Sequence, residues 1–169
     1  MGRGAINSTG NVWFEARMEA KKWNENLSSR AGAAEALNMS EDAVRAVEKN
    51  LNKCMPVETA VLMADLYNAP QLLPYYCQHE CPIGRTMPLS CEDLDIDRVT
   101  VKLLKNLRVS DLEEVKEKLI DIAEDGKITD DEKPEMKNIL SYLDDLAKTL
   151  SELRTIGEKV LGRDWNDER

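Results

Sequence analysis

The chain has 169 residues, 23 Lys/Arg against 32 Asp/Glu, a formal net charge of −9 and a pI near 4.8. That length suits one domain or two small ones. The charge has the wrong sign for a protein that holds nucleic acid through a broad basic surface. Residues 1–80 carry 8 basic and 10 acidic side chains, residues 81–169 carry 15 and 22, so most of the acidity lies in the second half.

No secretion-signal core opens the chain, and no uncharged apolar run approaches the roughly 18 residues of a membrane span. Met1-Gly2 hints at N-myristoylation, but Ile6 stands where Ser or Thr is wanted. Four cysteines without a signal fit a reducing cytoplasm. The expectation is a soluble cytoplasmic protein with no membrane partner.

Strand signals are nearly absent and 3.6-residue periodicity is common, which predicts an all-α fold. The first helix is expected from Asn11 to Trp23, with Trp13, Phe14, Arg17 and Met18 on its amphipathic face. SSRAGAAEALNMSEDAVRAVEKN, residues 28–50, then reads as two short helices joined by a tight turn. Ala34, with Ala33 beside it, is small enough for a helix crossing. Leu37, Met39, Val44 and Val47 face a core, Asn38 tolerates positive φ, and Ser40 caps the second helix. Pro56 opens a fourth helix with Val57, Val61, Leu62, Ala64 and Leu66 as the expected buried stripe, and Asn68-Ala-Pro70 stops it.

A short apolar piece, QLLPYYCQHEC, leads into CPIGRTMP, whose two prolines and glycine mark a linker at 81–92. Beyond it, residues 93–107 place Ile96, Val99, Leu103 and Leu107 on one side of a helix. Residues 110–124 do the same with Leu112, Val115, Leu119 and Ile122. The last helix is long, with Met136, Leu140, Leu143, Leu146, Leu150, Leu153, Ile156 and Val160 as a heptad-like seam. Such a seam needs cover, from the preceding helices, from a second copy of the chain, or from both in part. The expected organisation is a helix–turn–helix domain over 1–80, a linker over 81–92, and a helical, coiled-coil-like oligomerisation region over 93–169.

NVWFEAR, SSRAGAAEAL, the Val47-Glu48 pair, PVETAVLMADLYNAP, YYCQHECPIG and DGKITDDE together resemble the lambda-repressor-like (XRE-type) regulators of Gram-positive bacteria and their prophages. The resemblance implies a five-helix DNA-binding domain followed by a long-helix hairpin or three-helix C-terminal region. Its implied function is sequence-specific transcriptional regulation of a phage or mobile-element gene by a homodimer on an operator in double-stranded DNA. Carried over by position, Arg30, Ser40, Glu41, Asp42, Arg45, Ala46 and Lys49 form the DNA-facing set. Arg45 has the reach to read guanine, while Lys49 or Arg30 would hold phosphate. Glu41 and Asp42 at the leading edge oppose that role, although acids at a helix start also offset the macrodipole. The competing reading keeps the frame and loses the DNA face. The chain is then an acidic inhibitor, anti-CRISPR-like, that engages a basic nucleic-acid-binding surface of a host enzyme.

Two clusters resemble metal sites. Cys77, His79, Cys81 and Cys91 fall as C-x-H-x-C-x9-C and could bind zinc, but Cys-x-x-Cys is missing and ordinary packing explains them as well. Cys54 stands apart. DIAEDGKITDDE sets Asp121, Asp125, Thr129 and Glu132 at the first, fifth, ninth and twelfth positions of an EF-hand-like calcium loop, with Ala123 at the third. The alternative is Gly126 as a helix stop and Thr129 with Glu132 as a capping box. Packing and capping are the preferred readings, so no metal or cofactor is expected. With one histidine and scattered glycines, no enzyme activity is expected either.

Overall fold

A computed structural model describes residues 10–51, 55–92, 95–123 and 126–161. Among them the fold is all-helical: eight α-helices, two 3-10 turns and no strand. No described helix is long and apolar enough to cross a membrane. The chain groups into two compact units, the first drawn from residues 1–85 with the helix end from Glu158, the second from Thr86–Gly157.

The first unit contains α1 (Val12–Ala20), α2 (Arg30–Ala36), α3 (Glu41–Glu48), α4 (Val57–Leu66) and α5 (Leu72–His79), with a 3-10 turn at Glu25–Ser28. Each of the first three helices starts on a polar cap that takes up unpaired backbone N–H groups. Asn11 accepts from Trp13 and Phe14, Ser29 from Gly32, and Ser40 from Ala43. The Asn11 amide also donates to Val47 O at 3.2 Å and Asn50 Oδ1 at 2.9 Å, tying the start of α1 to the end of α3.

Three successive helix ends share one device. Asn38, Asn50 and Asn68 take positive φ of 52°, 51° and 46°. The next residue in each case, Met39, Leu51 or Ala69, donates back to the carbonyl of Ala34, Ala46 or Ala64. This left-handed stop ordinarily favours glycine, and asparagine is the side chain that tolerates it best. α2 and α3 therefore join through a bend of fixed geometry. Gly32 has a separate reason to be glycine: a Cβ there would stand 1.9 Å from Asn26 O.

The core of this unit is Trp13, Leu27, Leu37, Val44, Val47, Met63, Tyr67 and Leu72, packed around small Ala20, Ala33, Ala34, Ala60 and Ala64. Ala33 and Ala34 are buried where α2 meets α3, as their size suggests. The buried face of α4 differs from the expected stripe. Thr59, Ala60, Met63 and Ala64 turn inward, Leu66 is half-buried, and Val57, Val61 and Leu62 are exposed.

The expected linker is partly folded. Residues 81–85 turn back on α5: Arg85 N–H donates to Cys81 O, and the Arg85 side chain donates to His79 O. Gly84 is pressed so closely on this helix that a Cβ would lie 2.3 Å from Cys77 O.

In the second unit α6 (Ile96–Asn106), capped by Asp95, and α7 (Val109–Ala123) lie in succession along the 29-residue α8 (Lys133–Leu161). Partners run in opposite order. Lys102 pairs with Glu152, Asn106 donates to Thr149 Oγ1 at 3.0 Å and accepts from Tyr142, and Lys118 pairs with Glu135 at 2.6 Å. The unit is a hairpin with one arm in two pieces. Its turn uses Gly126 at φ +71° as a stop. Glu132 accepts from the Thr129 N–H and hydroxyl at 2.8 and 2.5 Å, the helix-start cap anticipated from sequence.

The seam on α8 is displaced from the expected one. Glu135, Ile139, Tyr142, Leu146, Thr149, Leu153 and Ile156, alternately four and three apart, are the buried or half-buried line. Leu140, Leu143, Leu150 and Val160 are exposed. The expected seam joined residues of two lines because the inner one includes Glu135, Tyr142 and Thr149, which are polar yet satisfied by partners on α6 and α7.

Candidate nucleic-acid interface

α3 has two sides of opposite character. Val44, Val47 and Glu48 are buried, whereas Ser40, Glu41, Asp42 and Arg45 are exposed and Ala46 and Lys49 are half-exposed. The division follows from i, i+3, i+4 spacing on a helix. All of these side chains except Arg30, which belongs to α2, lie on the one helix or its caps. Ala46 also borders a groove with Trp13, Asn50, Tyr75 and His79.

Two of the expected cations, Arg45 and Arg30, are already engaged. Arg45 Nη2 lies 2.8 Å from Asp42 Oδ1 on the exposed surface. Such a pair contributes only ~0.2–1 kcal/mol and yields readily to a phosphate or base. Arg30 is held differently, with its Nε 2.6 Å from Glu48 Oε2 and its side chain 27% exposed. Lys49 is the C-cap of α3. Glu41 and Asp42 project at the exposed start of the helix, where they complement its positive dipole end.

Beneath this surface lies a buried charge cluster centred on Glu48. Arg17 Nε and Nη2 reach the two carboxylate oxygens at 2.5 and 3.2 Å, and Arg17 Nη1 donates to Leu27 O at 2.8 Å and Ser28 O at 3.3 Å. The Arg17 and Glu48 side chains are 3% and 1% exposed. The cluster fastens the end of α3 to α1, to the 3-10 turn and, through Arg30, to α2. The Tyr67 hydroxyl is buried with no hydrogen-bond partner among the described residues. Its phenol is pushed well above the ordinary tyrosine range, first by burial and then by the Glu48 charge, with Arg17 opposing.

Arg17 and Glu48 are 31 residues apart in the chain, so no local pattern joins them. The available signal was a charge at a buried register: Glu48 stands at i+4 from Val44, and Arg17 at i+4 from Trp13.

In the cysteine–histidine group the histidine is held by an aromatic neighbour. The His79 ring stacks on Tyr75 with centroids 4.1 Å apart, and its Nδ1 lies 2.9 Å from Tyr75 O. Cys77, Cys81 and Cys91 are half-buried and form no disulfide. Burial pushes the Cys77 thiol up, with neighbouring Cys81 adding to the shift, and burial also raises Cys91. Among the described residues no three His, Cys, Asp or Glu side chains are grouped to hold a metal ion. In the second cluster Asp121 belongs to α7, while Thr129 and Glu132 hold each other in the cap. Cys54, Glu124 and Asp125 lie outside the described residues.

No protein-family model matches the chain, and no curated protein or solved structure matches it.

Proposed function

We propose that the protein is a sequence-specific DNA-binding regulator, of the phage or mobile-element type, acting in the cytoplasm as a binding protein rather than an enzyme. In this reading the first unit is a five-helix, lambda-repressor-like domain and α3 is its recognition helix. The observation that carries it is the division of α3, anchored from within by Val44, Val47 and Glu48 and open on the side of Ser40, Glu41, Asp42 and Arg45. A helix gripped from behind and clear in front is the form that major-groove reading requires. Arg45 then exchanges Asp42 for a guanine edge, and Lys49 meets phosphate. Two copies would set paired helices about one DNA turn apart, roughly 34 Å.

The test is binding of the purified full chain to labelled DNA flanking its own gene, over a series of salt concentrations. Affinity should fall as salt rises, and Arg45→Ala should weaken binding about tenfold or more. Absence of binding at low salt would overturn the reading. One observation favours a second one: Glu41 and Asp42 are both exposed at the leading edge, and the chain is strongly acidic. That reading is an acidic inhibitor of a basic host nucleic-acid enzyme. It expects no DNA binding, and a complex lost when several acids after residue 86 are changed to Lys.

A further inference from the structure

We infer that α6 and α7 together present a self-complementary face, and that its occupant is the same face of a second copy of the chain, lying antiparallel. The inference deepens the dimeric reading above. It rests on these two helices alone, so association and DNA binding can fail separately.

Lys102 and Asn106 on α6 and Lys118 on α7 are turned to α8, which leaves the far side of each helix to the surface. That side is rich in apolar groups. Val101 is 53% exposed, Leu104 65%, Val109 68% and Ile120 57%. Of the large apolar side chains on these two helices, only Val99 and Ile122 are buried. Apolar surface gathered in this way, rimmed by charge, is the mark of an association site.

Charge says what the covering surface must be. Between Asp95 and Arg108, four basic side chains (Arg98, Lys102, Lys105 and Arg108) stand against Asp95 and Asp97. Over Val109–Ala123 the balance reverses, with five acids against Lys116 and Lys118. Lys105, Arg108, Glu113 and Glu117 are exposed and form no ion pair among the described residues. A wholly acidic partner would suit α6 and be repelled by α7, and a basic one the reverse. The surface that fits carries both signs, in the opposite order along one line. This arm of the hairpin is itself such a surface. With a twofold axis through the joint at Leu107 and Arg108, α6 of each copy meets α7 of the other. The helices are 11 and 15 residues long, so the two halves nearly match. A parallel copy would instead set like charges together. Leu104 and Val109, the most exposed apolar side chains of the arm, lie beside the axis, where an interface keeps its dry centre.

Light scattering and sedimentation of the full chain test this directly, with far-UV circular dichroism to verify folding. The wild type should be a dimer at micromolar concentration. Arg98→Glu/Lys105→Glu/Arg108→Glu makes the whole arm acidic, and Glu113→Lys/Glu117→Lys/Asp121→Lys makes it basic. Each set alone should weaken the dimer at least about tenfold. Both sets in one chain should restore it, because the signs are exchanged but still opposed. That doubly reversed chain should not pair with the wild type, since each of its helices then meets its own sign; a parallel dimer predicts the opposite. An equimolar mixture of the acidic and basic variants should also associate, which keeps the test decisive if the doubly reversed chain misfolds. Arg45→Ala should leave association unchanged, separating this inference from the DNA reading. A monomeric wild type, a dimer indifferent to either set, or mixed pairing of the doubly reversed chain with the wild type would each overturn it.

Discussion

Each unit of the chain buries one glutamate against a cation, but the two do so in very different surroundings. Glu48 sits inside a core of sixteen buried apolar residues and is held by two arginines, one of them itself buried. Glu152 sits in a hairpin with a thin interior and is held by Lys102, whose side chain is 40% exposed. The difference teaches what a buried charge is worth. Where water is far away, a lost partner leaves a carboxylate or guanidinium stranded; where one side is near solvent, the fold relaxes around it.

The largest effect should therefore come from Arg17→Ala, which removes two links to Glu48 and two to backbone carbonyls. A cost of about 3–5 kcal/mol in urea unfolding is expected. Lys102→Ala should cost less, about 1.5–3 kcal/mol, with faster amide exchange confined to the second unit. Equal costs would erase the distinction between the two settings. A smaller effect belongs to the bend between α2 and α3. Asn38→Ala should lose about 1–2 kcal/mol because alanine resists positive φ, whereas Asn38→Gly should lose little. If alanine were harmless there, the fixed geometry of the bend would not be what holds α3 in place.

The smallest effect concerns Lys118, whose ammonium is pushed up to about 12 by hydrogen bonds to Glu114 and then Glu135. A raised folded-state pKa means that its contribution is complete below about 10.5 and fades as pH rises through about 12. The melting temperature should decline slightly over that window, and Lys118→Met should flatten the decline. As the group is exposed, a steep loss would point to some other titration.

Local geometry was legible in the sequence where neighbours in the chain decide it. Ser40 as a cap, Asn38 as a left-handed stop, Ala33 and Ala34 at a crossing, and the Thr129–Glu132 cap all act within a few residues of themselves. What was misread depended on partners elsewhere. Hydrophobicity favoured Val57, Val61 and Leu62 on α4, yet Thr59, Ala60 and Met63 turn inward beside the expected Ala64. On α8 the polar members of the inner line hid it, since only Asn106 and Lys118, far away in the chain, make Thr149 and Glu135 acceptable inside. The candidate site was legible as a surface, because exposure on α3 follows from period. Its anchorage was not, because Glu48 meets Arg17 and Arg30 only after three elements have docked.

The arrangement of α6 and α7 along α8 has a mechanical consequence. A rod clasped by two short grips in series, with a joint near Leu107 and Arg108, can be let go one grip at a time. Prying at the Gly126 end would peel α7 away while Lys102 and Asn106 still clamp the far stretch of α8. Rupture under load should then come in two steps, the weaker one starting from the tip.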